Sequence, residues 1–259
     1  MNILMNYLEF KTEQEFKEAN GYTIDGAWYP RVTKIIGIKS KPALLRYYGD
    51  AVSFKAAKEA TELAALEGTA VHEAVQKTLS GEKPFVDPAI SPAVEAALKF
   101  VEQKNIQFDI KYIEKRVCNT KHRYAGTIDA VALIGGKYGV LDIKTSQAIY
   151  RDYNLQTSAY MDVLTTEIPN LTTRWIFRID QVKTCNQCRA ILRVKGNRGK
   201  IRRGAGLSCM NNMHSWGPLT GVCELQEMPE WKSDFEAFLG AKKLWEWDNE
   251  EWLKKIGYV

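Results

Sequence analysis

The stretch GTIDAVALIGGKYGVLDIK, residues 126–144, consists of two short apolar runs joined by a pair of glycines. This pattern predicts a β-hairpin, because two glycines between β-branched runs are typical of a tight turn. Asp129 precedes the first run, and Asp142 and Lys144 end the second. Since strand side chains alternate between two faces, Asp142 and Lys144 share one face and Ile143 takes the other. The hairpin therefore brings Asp129 beside Asp142 and Lys144.

These acidic residues lie in an unusual setting for charged groups. An Asp-x-Lys tripeptide is by itself common on exposed strand edges, but Asp142 lies between Leu141 and Ile143, as in a buried strand. Two adjacent carboxylates in such a place are costly unless a cation compensates their charge. The cluster therefore predicts a divalent-metal site, in which an ammonium group can position water and stabilise charge on a phosphate.

The segments around the hairpin predict a mixture of helices and strands. Apolar residues at helical spacing predict helices over 51–66, 69–79, 92–104 and 152–164. Gly68 is expected to interrupt the first two, and Ser91 and Pro92 to form an N-cap and first helical position. Strands are predicted over 172–180 and 224–228, and an amphipathic helix over 235–256. We therefore expect an α/β fold with a mixed central sheet flanked by helices.

The composition suits a protein with a large core. The chain has 259 residues, of which 45% are hydrophobic, enough for one large domain or one domain with a small attachment. It has no run of about 18 apolar residues, and its first residues, MNILMNYLEFKTEQEF, become charged too early for a signal peptide. We therefore expect an intracellular, cytoplasmic protein that makes no membrane contact.

Four short motifs occur in a defined order. They are Gly68 with His72, Gly126 with Asp129, Asp142 with Lys144, and Gln156 with Tyr160. A lone helical histidine is more often a packed or surface residue than a metal ligand. The prediction that His72 is a ligand therefore depends on its place in this order. The order resembles the RecB-like branch of the PD-(D/E)XK nuclease superfamily, whose pattern is Gly-x-x-x-His, Gly-x-x-Asp, Asp-x-Lys and Gln-x-x-x-Tyr.

Within that branch the chain looks most like the mitochondrial genome maintenance exonuclease and its phage and prokaryotic relatives. The stretch YPRVTKIIG from Tyr29 is similar to their opening segment, although Arg31 stands where a serine is usual. The stretch SDFEAFLGAKKLWEW from Ser233 is similar to their last helix. The resemblance implies a restriction-endonuclease-like fold and a prokaryotic or phage-encoded protein.

The resemblance also implies an activity and its residues. A Mg²⁺ or Mn²⁺ ion would be held by His72, Asp129, Asp142 and the backbone carbonyl of Ile143. The catalytic residues would be Asp129, Asp142, Lys144, Gln156 and Tyr160, with Lys144 at the attacking water. Glu114 is a further candidate carboxylate. The implied function is an exonuclease on single-stranded or end-bearing DNA, in replication, recombination or repair. A restriction-like endonuclease and a non-catalytic nucleic-acid-binding protein remain alternatives.

A basic segment separates the last two predicted strands. Residues 181–223 contain eight basic residues and no acidic one, whereas the net charge of the whole chain is +5. We therefore expect an inserted module over 181–223 and a nuclease domain formed by 1–180 and 224–259. The module would hold the DNA backbone without reading its sequence. The candidate contacts are Arg193, Lys195, Arg198, Lys200, Arg202 and Arg203.

The same segment contains a cysteine motif. Cys185 and Cys188 form a Cys-x₂-Cys knuckle, and Cys209 and His214 can complete a four-ligand structural zinc site like that of a zinc ribbon. Cys223 is the rival fourth ligand. The alternatives are reduced cysteines without a metal, a redox pair, and an iron–sulfur cluster that would need the distant Cys118.

Overall fold

The computed structural model describes residues 10–51, 53–204, 209 and 213–259. Its helices are α1 (Glu13–Asn20), α2 (Val32–Ile36), α3 (Pro42–Asp50), α4 (Phe54–Leu79), α5 (Ser91–Gln103), α6 (Asp152–Glu167), α7 (Lys232–Asp248) and α8 (Glu250–Lys255). Its strands are β1 (Gly21–Ile24), β2 (Ala27–Pro30), β3 (Gln107–Phe108), β4 (Arg116–Asn119), β5 (Tyr124–Thr127), β6 (Ala130–Ile134), β7 (Lys137–Lys144), β8 (Leu171–Cys185), β9 (Ile191–Lys195), β10 (Arg198–Arg202) and β11 (Trp216–Glu227).

A mixed sheet forms the centre of the fold. In the described part of the chain it has seven strands in the order β10-β9-β8-β7-β6-β3, with β11 also paired to β8. Strands β7 and β8 are parallel and are connected through α6, and the other pairs of this sheet are antiparallel. Helices cover the sheet, so the predicted α/β class with a mixed, helix-flanked sheet is confirmed.

The two faces of the sheet belong to two apolar cores. Strand β7 shows the division, because Val140 packs into the core that contains Leu164 of α6. The neighbouring Leu141 and Ile143 pack into the opposite core with Val75 of α4. Burial on both faces explains the apolar run from Val140 to Ile143, which only Asp142 interrupts.

The predicted boundaries of three helical segments were wrong. Helix α4 runs unbroken through Gly68, where a Cβ would lie 2.5 Å from Thr145 Oγ1. Glycine thus allows α4 to approach the end of β7, which offsets its cost of about 1 kcal/mol in a helix. Ile90 occupies the N-cap position of α5, and Ser91 instead donates to Glu95 at 2.6 Å. The C-terminal helix divides into α7 and α8 at Asn249.

The basic segment grows out of the central sheet. Strand β8 continues to Cys185 and β11 begins at Trp216, so positions 181 and 223 both lie within these paired strands. Strand β7 pairs with β8 as far as Arg178, and β9 takes the same edge of β8 at Lys183 and Thr184. Strands β7 and β9 therefore meet end to end. Among the described helices, none is long and apolar enough to cross a membrane.

Candidate active site and cysteine cluster

The β6–β7 hairpin brings Asp129 to the end of β7. Ala130 is paired with Leu141, so Asp129 and Asp142 occupy adjoining positions on neighbouring strands. The backbone N–H of Ile143 donates to Asp129 Oδ2 at 2.6 Å, and His72 Nε2 lies 3.1 Å from the same oxygen. Helix α4 therefore places His72 against the strand ends, which requires the close approach at Gly68.

Helix α6 completes this cluster from the other side. Lys144 Nζ lies 2.6 Å from Asp142 Oδ2, and Gln156 Nε2 donates to Asp142 Oδ1 at 2.9 Å. Lys144 also donates to Gln156 Oε1 at 3.1 Å. The Gln156 amide lies 3.3 Å from the Tyr160 hydroxyl, one helical turn further on. Tyr160 is buried against Gly126, where a Cβ would come within 2.5 Å of its ring.

Three side chains at this cluster could hold a metal ion. Ligand atoms of His72, Glu114 and Asp129 all lie within 4.8 Å of one another. Glu114 belongs to the group although it precedes Asp129 by fifteen positions, and Gln76 of α4 donates to its carboxylate. An imidazole nitrogen and carboxylate oxygens are ligand types that divalent metal ions take in proteins.

Asp142 retains capacity to bind a cation. Its side chain is 1% exposed, and Lys144 approaches Oδ2 closely. Among the residues that the structure describes, however, none gives this buried oxygen a well-directed hydrogen bond. Such an oxygen fits a metal ligand, because a buried carboxylate otherwise has its acceptor sites filled.

The two carboxylates differ in their electrostatic surroundings. Burial raises the pKa of Asp142 to about 6, against the charge of Lys144 and with the help of Asp129. Burial would also raise the pKa of Asp129, but the hydrogen bond and charge of His72 lower it overall. The pKa of His72 is correspondingly raised by Asp129, against the effect of burial. Asp129 is therefore ionised well below neutral pH, whereas Asp142 loses its proton only as the pH rises through its pKa of about 6.

A second cluster lies at the far end of β8. The side chains of Cys185, Cys188, Cys209 and His214 converge into a group that could bind a metal. Cys185 Sγ lies 3.7 Å from Cys209 Sγ, and Cys188 Sγ lies 3.3 Å from His214 Nδ1. The first two cysteines bound a tight turn, and Arg189 directly after it has a φ of 61° and donates its backbone N–H to the Cys185 carbonyl.

The thiols of this cluster differ in acidity. Burial would raise the pKa of Cys185, but N–H groups of the knuckle and the hydrogen bond with His214 lower it to about 6. Burial and the neighbouring sulfur atoms raise the pKa of Cys209 to about 11. A metal that binds here would therefore displace protons from some of its ligands.

The other two cysteines lie away from this cluster. Cys223 is on β11 opposite Ile179 and packs against the core below the sheet. Cys118 is on β4, in the separate two-stranded sheet with β5. The structure thus brings together the four predicted zinc ligands Cys185, Cys188, Cys209 and His214. Cys223 and Cys118 lie elsewhere.

The six basic residues of the predicted DNA clamp have different surroundings. Lys195 is partly buried and donates to the Thr145 carbonyl, and burial together with Arg193 lowers its pKa to about 8. Arg198 lies over the Tyr47 ring, with 3.7 Å to the centroid. The remaining four are Arg193, which pairs with Asp180, and the exposed Lys200, Arg202 and Arg203.

One cationic residue escaped the sequence prediction. Arg178 lies on β8 as the direct partner of Lys144 on β7, with its side chain 12% exposed. The run RWIFRID carries one sequence signal for this residue. Arg178 lies between the apolar residues Phe177 and Ile179, as Asp142 lies between Leu141 and Ile143.

No protein-family model matches this chain, and no curated protein sequence matches it. Fold class by itself does not define function, because one fold supports many chemistries. Function is therefore inferred from the chemistry of the two clusters.

Proposed function

We propose that this chain is a Mg²⁺- or Mn²⁺-dependent DNA nuclease of the RecB-like PD-(D/E)XK type, with a restriction-endonuclease-like core. The observation that carries the proposal is the burial of Asp142 and Lys144 beside Asp129 and His72. Removing ions from water costs several kcal/mol each, and apolar residues of similar volume often serve stability better. Such a cluster at strand ends is therefore better explained by chemistry than by stability.

The proposed metal site uses residues from three elements. His72 of α4, Asp129 before β6 and Asp142 of β7 would hold the ion, together with the Ile143 carbonyl. Glu114 lies within reach of two of these ligands. A bound Mg²⁺ or Mn²⁺ would supply Lewis acidity at the scissile phosphate.

Lys144 and α6 would supply the remaining catalytic groups. The Lys144 ammonium is held between Asp142 and Gln156, so it can position the attacking water and stabilise charge that develops on phosphorus. Gln156 fixes both of these residues through its amide. Tyr160 supports Gln156 from the buried side of the helix.

The proposed substrate is DNA with a free end or in single-stranded form. The basic insertion meets the end of β7, where Lys195 and Arg193 contact the Thr145 carbonyl. Positive charge beside the cluster favours a polyanionic substrate. An endonuclease with the same site, or a binding protein without catalysis, remains the competing function.

The decisive experiment is cleavage of labelled single-stranded DNA with Mg²⁺ or Mn²⁺. We expect activity that a chelator abolishes, and a loss of at least about a hundredfold in Asp142→Asn and Lys144→Ala. Lys39→Ala and Asp152→Asn are matched controls, because these residues form an exposed ion pair of the same types at 2.5 Å. Full activity in either cluster variant would refute the site, and cleavage of covalently closed circles would favour the endonuclease.

We also infer that the Cys185–Cys188–Cys209–His214 cluster binds a structural Zn²⁺. Three thiols with one imidazole are a frequent ligand set for tetrahedral zinc. The ion would join the end of β8 to the start of β11 and so support the insertion. Metal analysis of the purified protein should find one zinc per chain.

A further inference from the structure

The sheet face that carries Asp142 and Lys144 continues across β8. Lys144 is the parallel partner of Arg178, so the two side chains leave the sheet on the same face from strands about 4.8 Å apart. Alternation along β8 places Asp180 and Val182 on this face after Arg178. The opposite face is apolar, with Phe177 and Ile179 in the core.

The β9–β10 hairpin extends the same face. Lys200 is paired with Arg193, and Arg202 is paired with Ile191 two positions away, so these three basic side chains share one face of the hairpin. The residues between them take the other face. Strand alternation thus collects these three charges beside β8, together with Ile191, and places Leu192 and Ile201 on the other face.

These side chains surround an open pocket of about 100 Å³, which Arg178, Arg193, Lys200, Arg202 and Gln147 line together with Asp180 and three apolar side chains. Asp180 lies at its base, 2.7 Å from Arg193 Nε and 3.5 Å from Arg178 Nη1. It therefore holds both guanidinium groups in place.

The loop that follows Lys144 orients the same cations. Arg193 donates to the Thr145 carbonyl at 3.4 Å. Arg178 lies 3.5 Å from the Ser146 carbonyl, and Arg202 lies 3.5 Å from the Gln147 carbonyl. The pocket is therefore anchored to the residues directly after the catalytic strand.

The pocket carries more positive than negative charge. Four cationic side chains face Asp180, and Glu224 pairs with Arg178 at the rim, 2.8 Å from Nε. Neither Lys200 nor Arg202 has a carboxylate within 4.0 Å among the described residues, and the whole insertion contains no acidic residue. An anion would balance this charge, and forked guanidinium groups suit phosphate oxygens.

We propose that this pocket binds a phosphate group of the DNA strand whose scissile bond lies at Lys144. The ligand is either an internal phosphodiester or a terminal phosphomonoester of that strand. The pocket would hold the strand on the catalytic face, one strand of the sheet away from the reaction. Its position relative to the scissile bond rests on the proposed function, whereas phosphate binding itself does not.

Binding is measured without divalent metal, so that cleavage does not intervene. Single-stranded oligonucleotides labelled at an internal base carry a 5′-phosphate, a 3′-phosphate or no terminal phosphate, and fluorescence anisotropy is recorded from about 50 to 200 mM salt. The test variant is Lys200→Gln with Arg202→Gln. The matched control is Lys183→Gln with Arg189→Gln, which removes two charges from the same insertion at residues outside the pocket and outside the six predicted DNA contacts. Circular dichroism verifies that both variants are folded.

We expect the pocket variant to bind about tenfold more weakly and its logarithmic salt slope to fall by about 0.7 to 1, whereas the control changes less than about twofold. A loss confined to strands with one terminal phosphate supports the pocket and assigns it to the monoester. An equal loss on all strands supports it and assigns the internal diester. Binding within twofold of wild type, or a loss equal to that of the control, would overturn the proposal. A chain that shows this loss but cleaves no DNA would refute the nuclease function alone.

Discussion

Asp142→Asn is expected to stabilise the metal-free protein while it abolishes nuclease activity. The pKa of Asp142 is about 6 in the folded chain, against 3.8 for an aspartate in water, because its carboxylate is buried. One pKa unit corresponds to about 1.4 kcal/mol, so the ionised carboxylate costs the folded state about 3 kcal/mol at neutral pH. The pKa of about 6 already includes the attraction between Lys144 and the Asp142 carboxylate, so the loss of this ion pair in the variant is part of the cost of about 3 kcal/mol. The amide avoids the charge and keeps the shape, so we expect a gain of about 1 to 3 kcal/mol.

The gain should depend on pH in a defined direction. Between about pH 4 and pH 6 the folded chain binds the Asp142 proton while the unfolded chain has released it. The stability of the wild type therefore falls as pH rises through this window, and that of the variant does not. The difference should be complete above about pH 6 and disappear below about pH 4.

Urea unfolding with a chelator at pH 7.5 and at pH 5 measures both effects. Asp152→Asn is the control, and as a surface substitution it should change the free energy of unfolding by less than about 0.5 kcal/mol. Saturating Mg²⁺ should stabilise the wild type but not Asp142→Asn. An Asp142→Asn chain that is less stable than wild type at pH 7.5 would refute the reasoning, since it would mean that the carboxylate strengthens the fold.

Three further outcomes are expected. Cys188→Ser should lose the bound zinc and lower the melting temperature, whereas Cys223→Ser should keep one zinc per chain by metal analysis. Gly126→Ala should lower the free energy of unfolding, measured in urea, by about 1 to 3 kcal/mol, because the added Cβ would lie 2.5 Å from the Tyr160 ring. The affinity for Mg²⁺, measured by calorimetry, should decline as pH falls through about 6, because protons compete for Asp142; an affinity that stays constant to pH 5 would contradict this.

The parts of the fold that the sequence predicts well are those with local signals. The glycine pair between β6 and β7 has positive φ angles of 57° and 80°, as a tight hairpin turn requires. The existence of strands β8 and β11 and of helix α6 also follows from short β-branched runs and helical spacing. In the same way, the four-residue spacing of Gln156 and Tyr160 places them together on α6.

The remaining features depend on tertiary contacts that local patterns do not encode. The sequence predicts that Gly68 interrupts a helix, whereas in the structure its missing side chain allows α4 to pack closely against Thr145. Arg178 becomes significant only through its register with Lys144 on another strand. The β1–β2 hairpin had a local signal, since Asp25 and Gly26 form its turn with positive φ angles, but its strands have only four residues each.

The end-to-end meeting of β7 and β9 also protects an edge of the sheet. Strand β8 runs beyond the end of β7, and β9 pairs with it at Lys183 and Thr184. Without the β9–β10 hairpin, this stretch of β8 would present free N–H and carbonyl groups to other chains, which favours aggregation. Natural variants of this chain should therefore lose single charges from the insertion more readily than the hairpin itself.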